Sequence, residues 1–145
     1  MPETSARALF AARLAQARQL RGLSQRALGD RMGLGKDKGS SRINRYEHQV
    51  TAIGFDNLDK LAEVLNVPIA YLVAENPAMA DGILELSRAN AAEQERLVLA
   101  LRALMASPPL AEAIARVAAA PDEERSRLAE ALSGLMAPPA KKRGK

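Results

Sequence analysis

Ser40, Ser41, Arg42, Asn44 and Arg45 put five hydrogen-bonding side chains into six consecutive positions, and the chemistry open to them is recognition. An arginine fork matches the O6/N7 edge of guanine, an asparagine amide matches the N6/N7 edge of adenine, and serine suits either. Lys36 and Lys38, just upstream, add two ammonium groups suited to phosphate oxygens. Gln25 follows Ser24 at a helix start, where its amide joins backbone N–H groups that also suit a phosphate oxygen.

Catalytic chemistry finds no comparable set. The chain has no cysteine and a single histidine, His48, which removes thiolate metal sites, imidazole clusters and any credible Ser–His or Cys–His triad. The glycine-rich run from Gly33 to Gly39 follows no strand, so it does not qualify as a nucleotide-phosphate loop. The carboxylates fall mostly on polar helix faces. The expectation is a protein without enzymatic activity, cofactor or metal. The N-terminus lacks the apolar stretch of a secretory signal, and no apolar run approaches the roughly 18 residues of a membrane span. A cytoplasmic location and no membrane partner are therefore expected.

The elements that must position the polar run are helices. Hydrophobic residues make up 48% of the chain, mainly Ala and Leu, while aromatics contribute only 3%; this composition favours helix and lacks the β-branched runs of buried strands. The spacing predicts a first helix over 6–21, with Phe10, Leu14 and Ala17 on one face and Gly22 ending it as a left-handed residue. Ser24 caps a second helix over 25–32 with Ala27, Leu28 and Met32 inward. A turn over 33–39 leads to a third helix, capped by Ser40 or Ser41 and running to about His48, with Ile43 and Tyr46 inward. Asp56 or Asn57 caps a fourth, in which Leu58, Leu61, Ala62 and Leu65 recur at helical spacing, and Asn66 closes it. Val67-Pro68 opens a fifth, short helix with Ile69 and Leu72 inward.

Glu75-Asn76-Pro77 reads as a domain boundary, because the charge changes sign there. Residues 1–74 carry 11 Lys/Arg against 7 Asp/Glu, residues 75–140 carry 6 against 10, and the last five residues add +4. A basic front half attracts a polyanion and an acidic back half repels one. Past the boundary come a helical piece around 81–88, a helix opened by an Asn90…Glu93 capping box, and two more helices after Pro108-Pro109 and Pro121. Leu97, Val98, Leu101, Leu104 and Met105 form one apolar stripe; Leu110, Ile114 and Val117 a second; Leu128, Leu132, Leu135 and Met136 a third. Arg96-Leu97 … Leu104-Met105-Ala106 recurs 31 residues on as Arg127-Leu128 … Leu135-Met136-Ala137, a weak internal repeat.

Leu23 to Leu34, with Leu14, Ala17 and Arg18 before it and Arg45-Tyr46-Glu47, Leu58-Asp59-Lys60-Leu61-Ala62 and Leu65-Asn66-Val67-Pro68 … Tyr71-Leu72 after it, resembles the Cro/phage-repressor-like (xenobiotic-response-element type) helix-turn-helix regulators. The likeness runs from Leu14 to Leu72. It implies an all-α, five-helix DNA-binding domain at 1–76. A helical oligomerisation segment at 77–139 and a basic tail at 140–145 would follow. In such domains the second helix crosses the DNA backbone and the third enters the major groove. The resemblance implies that Gln25, Ser40, Ser41, Arg42, Asn44 and Arg45 face DNA and that Arg18 and Glu47 form a structural ion pair; Lys36 and Lys38, in a turn where the chain departs from the family, are expected as extra phosphate contacts. The turn before Ile43 is roughly four residues longer than is usual in the family, so contacts to particular bases do not carry over.

The expected function is a sequence-specific transcriptional regulator of repressor type, binding double-stranded DNA as a homodimer on a near-palindromic operator. The alternative is an antitoxin-like module that binds a partner protein through its C-terminal helices. The remaining arginines, Arg7, Arg13, Arg21, Arg26 and Arg31, are expected on solvated faces, with one or two touching phosphate.

Overall fold

The computed structural model describes residues 5–35 and 38–136. Among the described residues the chain is entirely helical: α1 (Ala6–Leu20), α2 (Gln25–Arg31), α3 (Gly39–Glu47), α4 (Phe55–Leu65), a 3-10 helix (Ile69–Val73), α5 (Pro77–Arg88), α6 (Ala91–Ala106), α7 (Pro108–Ala119) and α8 (Asp122–Met136). It divides into two compact units, residues 1–94 and 95–145.

The first unit holds one apolar core. Leu14, Leu28, Ile43, Leu61, Leu65 and Leu72 are fully enclosed, with Phe10, Ala17, Met32, Tyr46, Leu58 and Ala62 around them. Each helix supplies the inward residues that its periodicity requires, and Phe10 meets Tyr46 edge to face at 6.4 Å between ring centres. The punctuation is equally local. The Ser5 and Ser24 side chains accept from the backbone N–H of Ala8 and Ala27, satisfying donors that a helix start leaves free. Gly22 (φ +63°) and Asn66 (φ +50°) end α1 and α4 in the left-handed region.

Three features differ from expectation. The third helix starts at Gly39, and neither Ser40 nor Ser41 caps it; likewise α4 starts at Phe55, with Gly54 before it. Ile69 faces outward, and Tyr71 and Leu72 fill the core from the 3-10 helix. The boundary expected at residues 75–77 falls inside the first unit, because α5 returns to the core: Ala80 is fully buried, and Ile83 and Leu84 pack on the same cluster. The Tyr71 hydroxyl is buried without a hydrogen-bond partner among the described groups. Burial pushes its phenol above the ordinary value of 10.0.

The early start of α3 follows from the contact that fixes it against α2. At Gly29 a Cβ would lie 2.5 Å from the Gly39 carbonyl carbon, and at Gly39 a Cβ would lie 3.0 Å from Gly29 Cα. The two helices meet backbone to backbone, which only paired glycines permit. Gly29→Ala is therefore expected to cost about 2 kcal/mol through overpacking. A thermal melt would read this as a drop of about 10 °C; an unchanged midpoint would mean that α2 and α3 separate freely.

The second unit has a different character. Among its described residues none is buried: Ile114, Val117 and Leu128 are half-covered, and Leu97, Leu99, Leu101, Met105, Leu132 and Leu135 are exposed. Its helices are locally well specified all the same. Asn90 and Glu93, at the end of the first unit, exchange reciprocal bonds at 2.9 and 3.0 Å that open α6, and in the second unit Asp122, Glu123 and Glu124 occupy the first turn of α8, where the helix dipole favours them.

Candidate nucleic-acid interface

The third helix is amphipathic over nine residues, and its two faces have different tasks. Ile43 (0% exposed) and Tyr46 (5%) lock it into the core. Ser41, Arg42, Asn44 and Arg45 point away from that core and are exposed, with Ser40 half-buried at the first turn. Lys38, directly before the helix, is exposed as well. Lys38, Ser41, Arg42 and Arg45 line one surface depression together with Thr51, Ala52, Gly54 and Asn57. Lys36 lies outside the described residues.

The sequence did not place Thr51 or Asn57 at this surface. They join the depression because the chain reverses sharply after α3: Gln49 adopts φ +60°, and Val50 N–H returns to the Arg45 carbonyl at 2.9 Å. A non-glycine residue at positive φ leaves little sequence trace, so this reversal was hard to foresee.

Behind the exposed face, one polar network ties three helices. Arg18 on α1 grips Glu47, the last residue of α3, with two bonds, Nε to Oε1 at 2.6 Å and Nη2 to Oε2 at 3.1 Å. Its third arm donates to the Leu23 carbonyl at 2.8 Å. Side-chain exposure is only 14% for Arg18 and 7% for Glu47, so this is a largely buried, bidentate pair. Gln25, the first residue of α2, donates its amide to Glu47 Oε2 at 2.7 Å, and its Oε1 accepts from Asn44 Nδ2 at 3.4 Å. The sequence argument placed Gln25 against phosphate and did not link it to Glu47. The link was missed because it joins residues 22 apart whose pairing depends on the crossing of α2 and α3.

One other arginine departs from expectation, and a second, exposed as expected, also has backbone partners. Arg13 is buried and donates to the Ala74 carbonyl at 3.3 Å and to Gln16 at 2.8 Å. Arg21 clamps the end of α4 through the Leu65 and Asn66 carbonyls, at 2.7 and 2.8 Å. Both hold the fold together. Among the described residues no three His, Cys, Asp or Glu side chains come close enough to hold a metal ion. No described helix is long and apolar enough to cross a membrane.

Comparison with known proteins agrees with this geometry. The helix-turn-helix family profile matches residues 14–72, the span from the first core leucine of α1 to the 3-10 helix. The crystal structure of transcriptional regulator BswR is similar at 32% sequence identity, over 66% of this chain and 95% of that one, with a TM-score of 0.60. No curated protein matches the sequence.

Proposed function

Because the chain belongs to the helix-turn-helix family, as a DNA-binding transcriptional regulator, we propose that it acts as a repressor-type homodimer reading a near-palindromic operator through α3. The observation that carries this reading is the division of α3 itself. Its apolar side is anchored at Ile43 and Tyr46, and its outward side offers Ser41, Arg42, Asn44 and Arg45. A helix held this way can enter a major groove as a rigid unit, so its backbone needs no ordering on binding. Gln25, Lys36 and Lys38, with Ser40 in the first turn of α3, complete the proposed DNA-facing set. Arg18 and Glu47 hold α3 in position from behind. No catalytic step and no cofactor enter this reading, and the cytoplasm is the proposed site of action.

The exposed apolar residues of α6, α7 and α8 support self-association, since a unit with no buried side chain among its described residues is marginal alone. Two copies would meet half-sites about 10 base pairs apart, centre to centre. Selection from a random duplex pool, with light scattering of the free protein, tests the whole reading. The expected results are an enriched inverted repeat and a particle of twice the chain mass. Affinity for the selected site should also fall steeply with salt, because arginines and lysines displace counterions from phosphate. A monomer that enriches no sequence would overturn the reading. The same exposed leucines favour a second one, in which the acidic helices capture a partner protein in the manner of an antitoxin; a stoichiometric heterologous complex in place of the dimer would establish it.

A further inference from the structure

We infer that Gln25 and Glu47 are positioning residues for base recognition, fixing the sense in which the Asn44 amide is presented to DNA; this rests on the regulator reading above. The argument follows the direction of each hydrogen bond. A guanidinium only donates and a carboxylate only accepts, so Arg18 and Glu47 set a polarity that the neighbouring amides must follow. Glu47 Oε2 lies 2.7 Å from Gln25, and only the Gln25 Nε2 can face it. That choice turns Gln25 Oε1 the other way, towards Asn44, where only the Asn44 Nδ2 can meet it. Asn44 Oδ1 is then directed away from Gln25.

An exposed asparagine amide otherwise has two faces of opposite sense, related by a half-turn, and each offers a base a different order of donor and acceptor. Here the half-turn would set Asn44 Oδ1 against Gln25 Oε1, two acceptors in contact. The order is therefore chosen before DNA arrives, by a carboxylate that never touches it. Among the described residues Asn44 Oδ1 and its second Nδ2 hydrogen have no partner, and they are the acceptor-and-donor pair that matches an adenine edge. The Asn44–Gln25 bond, at 3.4 Å, is longer than the three that feed it, at 2.6, 3.1 and 2.7 Å. The flexible joint in the relay is thus its outermost one, where a base would approach.

The test uses the full chain and a random duplex pool. Gln25→Met removes the relay and spares the Arg18–Glu47 pair, with Gln25→Ala as a second deletion should the first fold poorly. The expected result is a selected site whose preference is flattened about tenfold at one position in each half-site, the same position that Asn44→Ala flattens. Adding Gln25→Met to Asn44→Ala should change that preference no further. Base preferences unchanged at every position in the Gln25 variants, whether or not overall affinity falls, would overturn the inference and leave Gln25 as a backbone contact. A native chain that enriches no consensus would overturn the regulator reading itself and this inference with it.

Discussion

Replacing Arg42 and Arg45 together with alanine is expected to weaken binding to the selected operator by about 10²–10³-fold, with the helical signal and melting temperature unchanged. The magnitude comes from two charged forks at roughly 1–3 kcal/mol each when they meet base edges. The unchanged fold follows from their surroundings. Both are exposed on α3, and neither side chain takes part in a hydrogen bond or ion pair among the described residues. Their neighbours on the same helix, Ile43 and Tyr46, keep α3 in the core whatever stands at 42 and 45. A competition assay against random duplex separates the two contributions that a single arginine can make. Loss of a base contact lowers specific binding alone, while loss of a phosphate contact lowers binding to every sequence and flattens the salt dependence. A double variant that still shifts the operator at native affinity would remove α3 from the interface and turn attention to the second unit.

Much of this architecture is legible in the sequence, because the decisive signals are local. Leu58, Leu61, Ala62 and Leu65 specify the buried face of α4, Gly22 and Asn66 stop their helices, and the Asn90…Glu93 box opens α6, all within a few residues of the effect. Ile43 and Tyr46 could be assigned inward, and Arg42 and Arg45 outward, for the same reason. What escaped is what two distant backbones decide together. Gly39 begins α3 because Gly29 allows the helices to touch, and the serines that looked like caps are carried into the first turn. Arg13 looks like a solvated helix face until Ala74 brings a carbonyl to it, and a carbonyl has no sequence signature. The apolar stripes of α6 to α8 were equally visible, yet nothing in a single chain identifies their partner.

Glu47→Ala is expected to destabilise the first unit by about 3 kcal/mol or more, lowering its thermal midpoint by about 15 °C. Glu47 receives three bonds, two from Arg18 and one from Gln25, at a side chain only 7% exposed. Its removal leaves a guanidinium among α1, α2 and α3 with the Leu23 carbonyl as its one remaining partner. The cost arises mainly from that stranded charge, because burying an ion pair stabilises little beyond an apolar pair of the same shape. A double substitution tests this attribution. Arg18→Met with Glu47→Met removes both charges and keeps apolar bulk, so it should recover most of what Glu47→Ala loses. If the double variant were less stable than the single one, the pair itself would be the source of stability, and charge stranding would be the wrong explanation. Arg18→Met alone should fall close to Glu47→Ala, since it strands the carboxylate with only the Gln25 amide to satisfy it.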